Sequence, residues 1–185
     1  MRHHARLDSC SLLVVMAVAC SPLASCADDD TLAVNFVAVD DRLHTSGQPD
    51  AGKLGRLGEL GYELVINLAP PTVKGAVATE RELLEGAGVE YVNIPVDWQN
   101  PQAADFERFS AALAGADDQR VLVHCQMNMR ASMFTFLHRV IHDHVPIDTA
   151  LVPLRKVWKP SDQWEAFGET VLAAHGIEFD FATAP

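Results

Sequence analysis

Apolar and polar positions along the chain fall into short blocks that switch between a two-residue and a near-four-residue period. Thr31 to Val39 (TLAVNFVAV) alternates unevenly in a strand-like way, and Asp40 to Pro49 (DDRLHTSGQP) is rich in turn formers. Asp50 is placed to cap a helix running to about Leu60, with Leu54, Leu57 and Leu60 on one face and Gly61 as its stop. Glu63 to Leu68 (ELVINL) is a short β-branched run closed by Ala69-Pro70-Pro71. A second helix over about Ala76 to Glu85 ends at Gly86 and Gly88, a strand follows from Val89 to Val96, and a third helix is expected over Ala103 to Ala114. Arg120 to His124 (RVLVH) has the continuous apolar character of a strand buried on both faces. The residues after Arg130 form a helix with Met133, Phe136, Leu137 and Val140 inward, and further helices are expected near Thr149 to Val157 and Asp162 to Ala174. Strands alternating with helices at this spacing predict an α/β fold: a mostly parallel central sheet flanked by helices.

The first residues change the domain picture. Arg2, His3, His4 and Arg6 precede an apolar run from Ser11 to Ala19 that is too short to span a bilayer, the pattern of an export signal over residues 1–25. Leu23-Ala-Ser-Cys26 resembles a lipobox, which would leave Cys26 acylated at the mature N-terminus, residues 26–33 as an acidic tether and 34–185 as one domain. The expected location is the cell envelope, on its periplasmic side, with the membrane reached only through that anchor. A poorer lipobox at Ala17-Val18-Ala19-Cys20, or plain cleavage after Ala27, are the alternatives.

Charge then narrows the ligands. A formal net charge of −11 repels polyanions, which excludes nucleic acid as a binding surface and leaves small phosphorylated groups held in a local electropositive pocket. Of the four cysteines, Cys10 and Cys20 lie in the signal and Cys26 at the anchor, so Cys125 stands alone in the domain. A single unpaired Cys in an oxidising compartment points to a reactive thiol, against the alternative of an inert buried one.

The segment from Val121 to Ser132 (VLVHCQMNMRAS) supplies the chemistry. It places Cys125 where a buried strand ends and Arg130 where a helix begins. There the amides of a strand-to-helix turn converge, and the helix dipole favours an ionised sulfur. Arg130 could hold two oxygens of a phosphoryl group with its planar fork while that sulfur attacks phosphorus in line, and the backbone amides of Gln126, Met127, Asn128, Met129 and Arg130 would line the anion site. His124 is expected to be a buried orienter of the loop, and Asn128 to offer its amide to the anion in place of a missing glycine. His138, His142 and His144 suggest a metal, but no Asp, Glu or Cys completes a shell nearby, so no metal or cofactor is called for.

VLVHC followed by Arg and a helix resembles the P-loop of protein tyrosine and dual-specificity phosphatases. Thr45-Ser46-Gly47-Gln48-Pro49 and Ile66-Asn67-Leu68 are similar to the opening of a bacterial subgroup related to the domain fused to beta-lactamase-like hydrolases. The likeness runs from about Asn35 to Phe167 and implies a cysteine-phosphatase-like three-layer fold, hydrolysis through a cysteinyl-phosphate, Asp97 as general acid, and Ser132 steadying the departing thiolate. The phosphatase signature has five residues between Cys and Arg; here there are four, and Ala131 stands where the Arg would be. That shorter spacing is similar to the active loop of rhodanese-type sulfurtransferases, which leaves a Cys125 persulfide carrier, or a catalytically silent anion-binding domain, as rival readings.

Overall fold

The computed structural model describes residues 32–116 and 118–184. The expected signal segment, Cys26 and most of the expected tether lie outside the described residues. Five strands form one sheet: β1 (Val37–Ala38), β2 (Leu43–Ser46), β3 (Leu64–Asn67), β4 (Glu90–Asn93) and β5 (Val121–His124), in spatial order β1-β2-β5-β3-β4. All pairings are parallel except β1 with β2. The helices are α1 (Ala51–Leu54), α2 (Glu80–Gly86), α3 (Ala103–Ala114), α4 (Met129–Ile141), α5 (Ile147–Val157) and α6 (Asp162–Ala174). α3 and α6 take the bounds their periodicity predicts. α1 is shorter: its α-helical hydrogen bonding stops at Leu54, and tight turns carry Leu57 and Leu60 to Gly61.

Strand alternation sorts the core into two layers, because successive side chains point to opposite faces. Val121, Val123, Leu64 and Ile66 join Phe106, Phe134, Leu137 and Trp164 beneath α3, α4 and α6. Leu122 and Val65 join Leu54, Leu57, Tyr62 and Leu84 beneath α1 and α2. Continuing the same alternation turns His124 and Asn67, which are register partners, toward the α2 face, and Cys125 toward the other.

One expectation fails here. The stretch 40–49 reads as a turn-rich loop, yet Leu43–Ser46 is an interior strand paired with both β1 and β5. Its sequence, LHTS, is polar but buried at every position. Partners for each polar side chain, two of them from other parts of the chain, make that burial tolerable. His44 Nδ1 lies 2.6 Å from the Tyr62 hydroxyl, Thr45 Oγ1 accepts from Asn128, and Ser46 donates to the Gly47 carbonyl. The strand expected over 31–39 shrinks correspondingly to the two residues of β1.

Candidate active site

β5 is the central strand, so its C-terminal end opens between β2 and β3, where helix N-termini and chain crossovers leave room for a ligand. Cys125 sits at that end and α4 starts at Met129. The first intrahelical bond of α4 runs from the Ser132 amide to the Asn128 carbonyl, so the amides of Met129, Arg130 and Ala131 have no acceptor within the helix.

Cys125, Gln126, Met127, Met129 and Arg130 line one cavity of about 370 Å³ with Val73 and Trp98. Cys125 is buried, as is Arg130 at 6% exposure. The Arg130 guanidinium carbon lies 5.3 Å from the centre of the Trp98 ring, and its buried Nε has no hydrogen-bond partner. Among the described residues no carboxylate pairs with it. A guanidinium removed from water without a counter-charge costs several kcal/mol, a cost that an anion in this cavity would offset.

The loop is held from outside by the segment around Gly47. The Gln126 carbonyl accepts from the Gln48 amide, the Met127 carbonyl from the Asn35 side chain, and the Cys125 amide donates to the Ser46 carbonyl. A Cβ on Gly47 would collide with Val34 Cγ1 and lie 2.9 Å from the carbonyl oxygens of Val34 and Gln126, so only glycine permits this approach. Gln126 Nε2 also donates to the Lys74 carbonyl at 3.0 Å.

Asn128 takes a different part from the one expected. Its backbone is left-handed, with φ of 68°, the conformation a loop glycine would supply and one that Asn tolerates. Its side-chain amide donates to the Asn35 carbonyl at 2.6 Å and to Thr45 Oγ1 at 3.0 Å, so it ties the loop to β2 and does not face the cavity.

Ser132 likewise turns away. Its hydroxyl donates to the Met129 carbonyl at 3.1 Å and accepts from Trp158 Nε1 at 3.2 Å, and the residue does not line the cavity. Asp97 is exposed on the loop that carries Trp98, where its Oδ1 accepts from the Gln99 amide at 2.9 Å. That loop is anchored to α6 by Trp164 Nε1, which donates to the Trp98 carbonyl, and by Gln163, which donates to the Gln99 carbonyl. The structure therefore brings Cys125, Gln126, Met127, Met129, Arg130 and Trp98 together, while Asp97, one residue before Trp98, and Ser132 are not among the residues that line the cavity.

His124 is fully buried, and its Nε2 lies 2.7 Å from Glu80 Oε1. The contact is not in hydrogen-bond alignment. Glu80 opens α2 and gathers three further donors: Asn67 Nδ2 at 2.9 Å, Tyr91 Oη at 3.4 Å and Gln48 Nε2 at 3.4 Å. Burial, with the Glu80 carboxylate second, pushes the Tyr91 hydroxyl up to about 12. Sequence reading passes over Glu80, since a Glu in a first helical turn is ordinarily a solvated dipole partner. The one available signal is that β5 alternation turns His124 toward α2, where a buried imidazole needs company. The His138 and His142 rings lie 4.9 Å apart, tilted by 39°, and among the described residues no group of three His, Cys, Asp or Glu side chains could hold an ion.

Comparison with known proteins places this geometry. Residues 35–140 match the family of the phosphatase-like domain of beta-lactamase hydrolase-like proteins, and the chain belongs to that family. The beta-lactamase hydrolase-like proteins of two Xylella fastidiosa strains, Temecula1 and 9a5c, are each 33% identical over 119 residues, 62% of this chain. The chain spans only 27% of the length of those relatives. A crystal structure of a DUF442 protein from Shewanella putrefaciens CN-32 superimposes with a TM-score of 0.71 at 33% identity, covering 80% of this chain and 97% of that one. Kinase associated phosphatase shares the fold at 12% identity, with a TM-score of 0.64 over 80% of this chain and 98% of its own.

Proposed function

We propose that this member of the beta-lactamase hydrolase-like phosphatase family hydrolyses phosphomonoesters through a cysteinyl-phosphate. The observation that carries the reading is the buried, carboxylate-free guanidinium of Arg130 lining one cavity with the Cys125 sulfur. An anion bound there would be held by the Arg130 fork and by the open amides at the start of α4. The sulfur attacks phosphorus, the P–O bond to the leaving group breaks, and the alkoxide or phenoxide takes a proton. Water then attacks the phosphocysteine, releasing inorganic phosphate and restoring the thiolate. We assign the proton transfers to Asp97. It lies one residue before the Trp98 that contacts Arg130, and exchanging its bond to the Gln99 amide for one to the leaving oxygen would turn the carboxylate inward. Thiolate departure is left to the loop amides, since the Ser132 hydroxyl already serves Met129 and Trp158.

The test is phosphate release from a generic aryl phosphate. The full chain should turn it over, Cys125→Ser should lose the activity, and Asp97→Asn should slow it by roughly 10²-fold or more. Activity retained in Cys125→Ser would reject the mechanism. The four-residue spacing favours the second reading: transfer of the outer sulfur of thiosulfate to Cys125 and on to cyanide, without phosphate release, would replace the first. Vanadate or sulfate binding with neither activity would leave an anion-binding domain. A lipid on Cys26 completes the proposal, supported by the Leu23-Ala-Ser-Cys26 pattern; labelled palmitate should enter the wild-type protein and not Cys26→Ser.

A further inference from the structure

A cavity of about 500 Å³ lies at the other end of the sheet from Cys125. Leu43 and Val121, the first residues of β2 and β5, line it, whereas Cys125 follows the last residue of β5. The two hollows share no lining residue. α3 contributes Glu107 and Ser110, and the C-terminal end of α4 with the turn after it contributes His138 and Asp143.

Two buried polar atoms belonging to this lining have no partner within the protein. Ser110 is 4% exposed, and its Oγ does not take even the Phe106 carbonyl one helical turn back, which a helical Ser can reach. Position 110 is buried on α3 with Phe106 and Phe109, where an alanine would pack without the cost of burying a hydroxyl. His138 is also 4% exposed, and its Nδ1 has no hydrogen-bond partner. Burial, opposed by Asp143 and assisted by His142, keeps the ring neutral at pH 7, so it carries a single N–H. Nε2 lies 3.7 Å from Asp143 Oδ1, and that carboxylate favours the proton on Nε2, which leaves Nδ1 as an acceptor. Both orphaned atoms can therefore accept from an N–H donor.

Charge selects which donor. Asp40, Glu107 and Asp143 line the cavity against one guanidinium, that of Arg42, and no lysine. One oxygen of Asp40 is taken by the Arg42 and Leu43 amides, and one of Glu107 lies 3.3 Å from His175 Nε2, so each carboxylate has a second oxygen to offer. The cavity also adjoins the C-terminus of α4, the negative end of the helix dipole. Leu43, Leu113 and Val121 supply aliphatic surface beside these groups.

We propose that this cavity binds a short aliphatic ligand bearing ammonium groups, whose N–H donors are shared among Ser110 Oγ, His138 Nδ1 and the Glu107 and Asp143 carboxylates while its methylenes lie on the aliphatic surface. The same carboxylates repel anions, which separates this site from the anion site at Cys125. Binding here requires no turnover there, so either reading can fail without the other.

The test is calorimetric titration of the full chain with linear alkanediamines of increasing length and with the matching diols, in about 0.15 M salt to screen the general negative charge of the protein. One diamine should bind with a Kd below about 1 mM, and its diol should not bind. Ser110→Ala and Glu107→Gln should each weaken that binding about tenfold, the loss of one hydrogen bond to a charged group. Glu82→Gln, which removes the same charge from the exposed surface of α2, should leave it unchanged. Should Ser110→Ala not fold, Glu107→Gln and Asp143→Asn, both at exposed positions, decide the comparison. Absence of diamine binding, equal binding of the diols, wild-type affinity in the cavity variants, or equal weakening by Glu82→Gln would overturn the site.

Discussion

Replacing Glu80 by Ala should destabilise the domain far more than a substitution in a first helical turn ordinarily does. The carboxylate is buried and meets two groups at short range, His124 Nε2 at 2.7 Å and Asn67 Nδ2 at 2.9 Å, besides two at 3.4 Å. A hydrogen bond to a charged group contributes about 1.5–3 kcal/mol, and each abandoned polar partner that stays buried adds its own desolvation cost. The hydrogen bond from Asn67, together with a His124 ring left buried beside an empty site, sets the loss at about 3–5 kcal/mol. With a urea m-value of about 2 kcal/mol/M, the unfolding midpoint should fall by about 2 M. Glu80→Gln keeps an acceptor for Asn67 and most of the volume, so about 1–2 kcal/mol is expected. His124 directly precedes Cys125, so the Gln variant should also lose turnover of an aryl phosphate while its circular dichroism stays native. An Ala variant shifted by less than about 0.5 M, or a Gln variant with full turnover, would refute the idea that Glu80 holds the base of the Cys125 loop.

Other outcomes follow from the same coordinates. Gly47→Ala puts a methyl group against backbone oxygens of Val34 and Gln126 and should cost about 1–3 kcal/mol by urea titration, with a larger fractional loss of turnover because the loop must shift. Tyr91 keeps its proton in the folded state up to about 12, against 10.0 in the unfolded chain. Its share of stability is therefore present below pH 10 and lost as pH rises toward 12, so Tyr91→Phe should flatten that alkaline limb in a melting-temperature series. Burial, opposed by Asp143 and assisted by His142, lowers the titration of His138 below 6.5. The unfolded chain then takes up this proton first, so stability should fall as pH drops below 6.5, and His138→Gln should reduce the slope. Trp158→Phe removes the donor to Ser132 Oγ, frees that hydroxyl, and should alter turnover by less than Cys125→Ser or Arg130→Ala, both of which should abolish it.

Local pattern was enough for the parts of this protein whose stability comes from one contiguous segment. The unbroken apolar run ending at His124 could only be a strand covered on both faces, and the periodicities of α3 and α6 named helices that appear with those bounds. Cys125 at a strand end and Arg130 at a helix start followed, and with them a sulfur and a guanidinium in one cavity. Tertiary structure decided whatever depends on partners distant in sequence. LHTS becomes an interior strand only because Tyr62 and Asn128 satisfy its polar side chains. Asn128 is free to act as the left-handed hinge because Asn35 and Thr45 take up its amide. Glu80 matters because sheet alternation delivers His124 to α2. Ser132 and Asp97 point where neighbouring carbonyls and amides draw them, a choice among rotamers and turns differing by about 1 kcal/mol, which spacing along a chain does not encode.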